Sequence, residues 1–326
     1  MPKAGGEWMA VDVFTWETIR GVVDSIDLKQ AMSNAFQAYS AGMAVVPPVG
    51  EMCFEDPPGD VHIKYGYLKS GPHYVVKIAS GFYNNPALGL SSSQGLMLLF
   101  CKQTGQLQAV LLDDGNLTDI RTGGAGALAA NLLGSKGATA LGMVGTGIQA
   151  RHQLQQVARH TAVRKLWAWG RNKARLEEYL TWASALGFEA QAAPDLATLT
   201  ASSNWIFTTT PAEAPLIQAQ WVRPGTHITA VGSDTASKQE LEGALLAKAD
   251  RVVVDSLKQS RTRGEVYRAV QSGHLDPAGV LELGAVLREP SLGRTDEKQI
   301  TIADLTGVAV QDLAIATAVV ETLRES

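Results

Sequence analysis

The stretch LGMVGTGIQA, residues 141–150, decides the fold. Its four apolar residues predict a buried strand, and the residues after Gly147 predict a helix. Gly145 permits a tight turn, Gly147 lacks the side chain that would keep a pyrophosphate from the backbone, and Ala150 lets helix and strand pack closely. The helix N-terminus offers N–H groups and a positive dipole end to phosphates. The stretch predicts a dinucleotide-binding turn; the alternative is a glycine-rich turn without a ligand.

Apolar strand patterns and amphipathic helix patterns alternate beyond this turn. Helix patterns cover 148–160 and 172–186, and strand patterns cover 165–170, 204–210, 226–232 and 251–256. Alternation at this spacing predicts a parallel, doubly wound sheet that is covered on both faces, which places the chain in the α/β class.

The end of the next strand helps to choose the nucleotide. The sequence there is Gly170-Arg171-Asn172-Lys173, with Arg175 close behind. An NAD enzyme usually has Asp or Glu at this place to bind the ribose 2′-hydroxyl, and a carboxylate would repel a 2′-phosphate. Arg171 can pair with that phosphate and stack on adenine. NADP(H) is therefore favoured over NAD(H), and a solvated basic helix start is the alternative.

The two ends of the chain have a different pattern. Helix patterns lie between residues 15 and 39, and strand patterns at 62–68, 73–79, 95–100 and 107–114. The turn at 103–105 predicts a hairpin, so this part is α+β. Near the C-terminus a strand pattern at 299–305 precedes a helix pattern at 307–323.

Composition excludes several classes of protein. The 326 residues carry 28 Lys+Arg and 32 Asp+Glu, a net charge of −4, so no nucleic-acid or anionic membrane partner is expected. No apolar run has the length of a membrane helix, and residues 1–19 lack a signal-peptide core. The two cysteines have no metal-ligand spacing, so no metal is expected and a reducing cytoplasm is the expected compartment.

Three charged residues stand out by position. Lys77 lies in an apolar strand, where a cation is costly without a partner or a task; an exposed face of an edge strand is the alternative. Arg121 begins a helix pattern and can clamp a carboxylate at two points, or it pairs with Asp119. Asp234 follows a sheet strand at the end where ligands bind, or it caps a helix that includes residues 239–247.

Four motifs, in order and spacing, resemble those of the ornithine cyclodeaminase/mu-crystallin family. They are RTGGAGALAA (121–130), GTGIQA (145–150), VGSDTASKQEL (231–241) and DLTGVAVQDLAIA (304–316). The resemblance extends from about residue 47 to about residue 320. It implies a Rossmann-type dinucleotide-binding domain at 121–304 and a discontinuous α+β domain, 1–120 plus 305–326, that binds substrate and forms a homodimer.

The resemblance also implies an activity. Members of this family carry out NAD(P)-dependent redox chemistry at the Cα–N bond of an amino or imino acid, as cyclodeaminases or as cyclic ketimine or imino-acid reductases. The substrate is then a small amino or imino acid. The alternative is a non-catalytic, NADPH-dependent protein of mu-crystallin type that binds a small ligand.

Residue roles follow from the same resemblance. Lys77 and Arg121 hold the substrate carboxylate, and Asp234 moves a proton on or off the substrate nitrogen. Val49 stands where many members have a carboxylate-binding arginine, and we hypothesise that Lys64 replaces that charge. The expected cofactor contacts are Ser92, Thr122, Gly145, Thr146, Gly147, Ile148, Gln149, Arg171, Asn172, Thr208, Thr209, Thr210, Val231, Gly232, Asp234, Thr306 and Gly307.

Overall fold

The computed structural model of this chain describes residues 11–82 and 84–325. The chain divides into two compact units. The first unit comprises Met1–Ala31, Gly42–Thr118 and Ala309–Ser326, and the second comprises Met32–Ala41 and Asp119–Val308. The segment 32–41, which the sequence division assigns to the first domain, thus belongs to the second unit. The expectation about a signal peptide depends in part on residues 1–10, which lie outside the described residues.

The elements run in the following order along the chain. The strands are β1 (Asp12–Thr15), β2 (Ala44–Val45), β3 (Gly50–Glu55), β4 (Pro58–Leu68), β5 (His73–Phe82), β6 (Ser93–Cys101), β7 (Leu107–Leu112), β8 (Leu141–Val144), β9 (Lys165–Trp169), β10 (Glu189–Ala192), β11 (Trp205–Thr208), β12 (His227–Ala230), β13 (Arg251–Val254), β14 (Leu281–Glu282) and β15 (Thr301–Asp304). The helices are α1 (Trp16–Arg20), α2 (Leu28–Ser40), α3 (Asn116–Leu133), α4 (Ile148–Ala158), α5 (Lys173–Ala185), α6 (Leu196–Ser202), α7 (Gly243–Lys248), α8 (Gly264–Gln271), α9 (Leu283–Arg288) and α10 (Ala309–Glu325).

The first unit is a mixed sheet with the C-terminal helix on one side. The strand order is β1-β7-β6-β5-β4-β2, and β3 pairs with another part of β4. Strands β4 to β7 are antiparallel neighbours, whereas β1 runs parallel to β7. Helix α10 packs against β4, β5 and β6. One face of this sheet is therefore covered by a helix that comes from the far end of the sequence.

Side chains alternate between the two faces of this sheet, as expected for extended strands. The face toward α10 is buried and includes Lys64, Lys77, Met97 and Leu111, which lie next to one another in register across four strands. The opposite face, which we call the outer face, is apolar and partly exposed. Its exposed members include Val13, Met52, Tyr65, Ile78 and Leu112, each between 36% and 57% exposed.

The second unit is a parallel sheet in the order β10-β9-β8-β11-β12-β15-β13-β14. Strands β8, β11, β12 and β15 are buried at every residue because a parallel sheet is covered on both faces. The winding direction reverses between β8 and β11. In open sheets of this kind the ligand crevice lies at such a reversal, outside the carboxyl ends of the strands.

The structure confirms the predicted parallel sheet and the hairpin between β6 and β7. Two boundaries are wrong. Helix α3 begins at Asn116, five residues before Arg121, and the helix expected over 239–247 begins at Gly243. Among the described residues, no helix combines the length and the apolar character that crossing a membrane requires.

Candidate active site

The turn after β8 requires glycine at its first position. Gly145 has a φ of 110°, a conformation that residues with side chains rarely adopt. A Cβ there would lie 2.6 Å from Thr209 Oγ1. The Gly145 N–H donates to the Trp169 carbonyl oxygen at 2.9 Å. Backbone conformation and protein packing therefore both explain this glycine.

The presence of glycine at position 147, at the N-terminal end of α4, has a different explanation. Its φ is −78°, which any residue can adopt, and a Cβ built there would have no protein atom within 4 Å. No side chain caps α4 at this end, so its first N–H groups are not taken by a capping residue. Neither the backbone conformation nor packing within the protein requires glycine at position 147. The absence of a side chain there fits the close approach of a phosphate to the backbone. Ile148, the first residue of α4, is 42% exposed at the same place.

The end of β9 lies beside this turn. A Cβ at Gly170 would lie 2.8 Å from the Thr146 methyl group, so the two turns pack directly on each other. Arg171 is exposed. The Asn172 side chain accepts the Arg175 N–H at 3.1 Å and caps α5. Asn172, expected as a cofactor contact, therefore also has a structural role as the cap of α5.

Glu240 holds together the ends of β11 and β12. Its carboxylate accepts hydrogen bonds from the Thr208 hydroxyl at 2.7 Å, from the Thr210 N–H at 2.6 Å and hydroxyl at 2.8 Å, and from the Gly232 N–H at 2.8 Å. Val231 joins the same group, because its N–H donates to the Thr208 carbonyl at 2.9 Å. The predicted contacts at 208–210 and 231–232 thus lie together and share one buried carboxylate.

Glu240 is part of a buried acidic cluster. Burial raises the pKa of Glu240 to about 7 and that of Asp304 to about 7, although backbone N–H donors oppose the shift at both. Burial likewise raises the pKa of Glu265, whose carboxylate accepts the N–H groups of Glu240 and Leu241. These carboxyl groups bind protons more tightly in the folded chain than in an unfolded one.

Thr306 and Gly307 form a turn that a further carboxylate fixes. Asp255 accepts the Thr306 hydroxyl at 3.2 Å and the Gly307 N–H at 2.6 Å. Gln259 donates to the Thr306 hydroxyl oxygen at 2.8 Å and to the Gly307 carbonyl at 3.1 Å. Gly307 has a φ of 82° and so favours glycine. The turn that the resemblance assigns to the cofactor is rigidly held.

Helices α3 and α4 are joined by two glutamines. Gln149 donates to Asp119 Oδ1 at 2.6 Å, and Gln153 donates to the Thr122 carbonyl at 3.1 Å. Both predicted contacts, Gln149 and Thr122, therefore serve the packing of the two helices. Arg121 is buried on α3, in its second turn rather than at its start.

Asp234 lies after β12 and is not a helix cap. Its Oδ1 accepts a hydrogen bond from Lys238 Nζ at 2.7 Å, and its carbonyl accepts one from Arg263 at 3.2 Å. Residues 234–242 are not helical, which excludes the capping alternative. The carboxylate is about one-third exposed.

In the first unit, Lys77 is 2% exposed and forms an ion pair with Asp312. Lys77 Nζ lies 3.2 Å from both oxygens of the Asp312 carboxylate, which is itself fully buried on α10. This excludes the alternative of an exposed edge-strand lysine. A buried ion pair adds little net stability, because desolvation of both charges offsets their attraction. The pair therefore points to a task beyond folding.

Lys64 and Asp113 lie close to this pair. Lys64 is directly opposite Lys77 in the β4–β5 register and is 5% exposed. Asp113, buried after β7, accepts the Leu117 N–H at 2.8 Å. Burial raises the pKa of Asp113 to about 6, and the Lys77 charge partly opposes that shift. Ser92 is half-buried before β6, with its carbonyl accepting the Phe82 N–H.

Sequence patterns do not identify Asp312 and Glu240 as partners of predicted site residues. Asp312 is one of only two polar side chains in the apolar run 308–316, and that contrast was a usable signal. Glu240 was within a recognised motif, but nothing in its spacing shows that it holds two strand ends. Such contacts arise only when separate strands become neighbours.

The sheet order, the reversal between β8 and β11 and the glycine turn define a Rossmann-type dinucleotide-binding unit. The sequence profile of the ornithine cyclodeaminase/mu-crystallin family matches residues 10–326. The chain therefore belongs to the ornithine cyclodeaminase/mu-crystallin family.

Characterised relatives cover nearly the whole chain. Alanine dehydrogenase of Archaeoglobus fulgidus is 33% identical over 310 residues, 95% of this chain and 94% of its own. An archaeal alanine dehydrogenase dimer with bound NAD superposes with a TM-score of 0.88 at 32% identity, covering 97% of this chain and 96% of that one.

Two reductases are similarly close. Iminosuccinate reductase of Paracoccus denitrificans is 38% identical over 298 residues, 90% of this chain and 91% of its own. Its complex with NAD+ gives a TM-score of 0.85 at 32% identity, with 97% of each chain covered. The Δ1-pyrroline-2-carboxylate reductase of Thermococcus litoralis, with NADH and L-proline, gives 0.91 at 25% identity, covering 97% and 98%.

The acidic cluster predicts a pH dependence of stability. Because the pKa of Glu240 is raised to about 7, its protonation stabilises the fold below pH 4.5, and this contribution is lost as the pH rises through 7. The loss for one such group is roughly 3 kcal/mol. Chemical unfolding at several pH values should show Glu240→Gln losing part of this slope, with Glu242→Gln retaining it. An unchanged slope in Glu240→Gln would refute the assignment.

Proposed function

We propose that this chain is an NAD(P)-dependent enzyme acting at the Cα–N bond of a small amino or imino acid. The observation that carries the proposal is the buried Lys77–Asp312 pair, with an ammonium group fixed on a sheet face where folding alone does not require one. The glycine turn at 145–147, with its open approach at Gly147, supports nucleotide binding by the second unit. The family and its characterised relatives support the reaction class.

Each proposed residue has a defined task. Lys77, oriented by Asp312, binds the substrate carboxylate or polarises the imine, and Arg121 binds the carboxylate. Asp234, oriented by Lys238, moves a proton on or off the substrate nitrogen. The nicotinamide nucleotide, when bound, gives or accepts the hydride.

The dehydrogenase and the reductases described above favour a net redox reaction over cyclodeamination. Their names give an alanine dehydrogenase and two imino-acid reductases. A dehydrogenase or reductase changes the nucleotide stoichiometrically, whereas cyclodeamination returns it to its starting state and releases ammonia. We therefore propose imino-acid reduction, or its reverse, as the activity of this chain.

Turnover by the purified chain tests this proposal. We expect NADPH or NADH to be consumed with an imino acid, supplied as pyrroline-2-carboxylate or formed from a 2-oxo acid and ammonia. Lys77→Met should lower kcat/KM by about 100-fold or more, a loss typical of removing a group that stabilises the transition state. The exposed Lys69→Met is the matched control and should retain activity.

Three results would contradict the proposal. Nucleotide binding without turnover would favour a ligand-binding protein of mu-crystallin type. Ammonia release from ornithine without net nucleotide consumption would favour cyclodeamination. Equal activity of Lys77→Met and the wild type would show that Lys77 has no role in the reaction, provided that thermal unfolding shows both proteins to be folded.

We propose that the chain prefers NADP(H) while also accepting NAD(H). Arg171 is exposed at the carboxyl end of β9, and residues 170–175 contain no carboxylate that could bind a ribose 2′-hydroxyl. The relatives noted above were solved with NAD or NADH. The preference for the phosphorylated nucleotide is therefore a proposed difference from them.

Arg171→Ala tests this preference. We expect it to weaken NADPH binding by about 10- to 100-fold, because a charge-assisted pair with the 2′-phosphate is lost. NADH binding should change by less than about threefold. Lys298→Ala removes an exposed charge just before β15, at the amino end of the sheet, and should leave both affinities unchanged. Equal effects on both nucleotides, measured by titration calorimetry, would overturn the assignment.

The outer face of the first unit supports a homodimer. Its exposed side chains, Val13, Met52, Tyr65, Ile78 and Leu112, come from five strands of one sheet. A contiguous apolar surface of this kind marks an interface. One relative is described as a dimer. We propose that a second copy of this chain covers the outer face.

A charge on the outer face should prevent association. Ile78→Glu places a carboxylate on this face, and we expect a shift from dimer to monomer in sedimentation at micromolar concentration. Leu186→Glu introduces the same charge at an exposed leucine of the second unit and should leave the dimer intact. A monomeric wild type, or a dimeric and folded Ile78→Glu, would rule out this interface.

A further inference from the structure

One buried carboxylate joins two strand ends of the second unit. Glu240 is 0% exposed. Its Oε1 accepts hydrogen bonds from the N–H and the hydroxyl of Thr210, at 2.6 and 2.8 Å. Its Oε2 accepts the Thr208 hydroxyl at 2.7 Å and the Gly232 N–H at 2.8 Å. A carboxylate has about four acceptor positions, so these donors use all of them, and Glu240 fixes the end of β11 to the end of β12.

The two backbone donors require a carboxylate at position 240. The Thr210 N–H donates to one oxygen and the Gly232 N–H donates to the other. A threonine hydroxyl can turn and accept a hydrogen bond, but a backbone N–H can only donate. The amide of a glutamine would therefore direct its NH2 group at one of these N–H groups in either orientation. A buried backbone donor would then lose its partner.

The glycine at position 232 has a packing explanation that involves the same carboxylate. A Cβ there would overlap the Thr210 carbonyl oxygen and would lie 2.7 Å from the carboxyl carbon of Glu240. Thr209 packs in the other direction, because its Oγ1 lies 2.6 Å from the position that a Cβ of Gly145 would take. The strand ends that Glu240 fixes are therefore in contact with the glycine turn.

The backbone of Glu240 is itself held on both sides. The buried Glu265 carboxylate of α8 accepts the N–H of Glu240 at 2.7 Å and that of Leu241 at 3.1 Å. The Glu240 carbonyl accepts the N–H groups of Leu216 and Ile217 at 2.7 and 3.0 Å. A side chain with so firmly held a backbone sets the position of the strand ends that it contacts.

These strand ends lie on one side of the proposed nucleotide site. In sheets of this type a dinucleotide crosses the reversal of strand order, with one half on each side. The 2′-phosphate that we propose for Arg171 belongs to the adenosine half, and Arg171 follows β9, on the β8 side of the reversal. The nicotinamide half is therefore left for the other side, where β11 and β12 end.

We propose that Glu240 is a positioning residue that sets the ends of β11 and β12 for the nicotinamide half of the nucleotide. The proposal rests on the proposed function, because it takes the second unit as the binder of NAD(P)(H). Glu240 is too deeply buried to touch the nucleotide. It acts through the residues that it holds, Thr210 and Gly232, and through Thr209 between the strand end and the glycine turn.

Binding of the whole nucleotide and of its adenosine half tests the proposal. The probes are NADPH and adenosine 2′,5′-bisphosphate, the adenosine half of NADPH, and both are measured by titration calorimetry. We expect Glu240→Gln to weaken NADPH binding by about tenfold or more. Binding of the bisphosphate should change by less than about threefold. Glu242→Gln is the matched control, because the Glu242 carboxylate accepts the Ala219 N–H at 2.7 Å, at neither strand end, and both affinities should persist.

Thr208→Val is a second variant, which keeps the proposal testable if Glu240→Gln fails to fold. It removes one donor to Glu240 with little change of shape, and the fully buried Thr208 side chain cannot reach the nucleotide itself. We expect NADPH binding to weaken by about three- to tenfold, with the bisphosphate unaffected.

Two results would overturn the proposal. One is wild-type affinity for NADPH in either variant, with thermal unfolding showing that the variant is folded. The other is equal weakening of both probes, because that would indicate a general loosening of the second unit. Absence of NADPH and NADH binding by the wild type would instead contradict the proposed function itself.

Discussion

The ion pair between Lys77 and Asp312 joins two parts of the chain that are 235 residues apart. Lys77 lies in the middle of a strand, and Asp312 lies on the helix that covers that strand. Removing either partner would break this buried ion pair, and breaking such a pair costs about 3–5 kcal/mol. The C-terminal helix therefore has to return to the sheet of the first unit for the lysine to be retained in its strand.

Carboxylates organise the second unit in a comparable way. Glu240 accepts four hydrogen bonds from the ends of β11 and β12, and Asp255 fixes the turn at 306–307. Loops at the carboxyl ends of parallel strands carry binding residues but lack ladder partners of their own. A buried carboxylate that accepts several N–H and O–H groups supplies those partners. The cost at Glu240 is that burial raises the pKa of its carboxyl group to about 7.

Sequence patterns predicted much of the candidate site, but not its supporting contacts. The turn at 145–150 is a local feature, since its strand, glycines and helix are contiguous, and it could be located from spacing alone. Lys77 could be singled out because a cation in an apolar strand is unusual. Asn172 and Gln149 are expected cofactor contacts, and the structure shows that Asn172 also caps α5 and that Gln149 also joins α4 to α3. Donor and acceptor atoms of Asn and Gln fit either role, so residue type could not distinguish them.

The sequence by itself determined the class of the parallel sheet, the location of the glycine turn and the family of the chain. These depend on periodicity and on contiguous motifs, whose residues interact with close neighbours in the chain. Only the tertiary structure decided that Lys64 and Lys77 are neighbours, that Asp312 pairs with Lys77, and that one sheet face remains apolar and exposed. Strand register and helix docking bring together residues far apart in the chain, and the energy of those contacts has no counterpart in the local sequence.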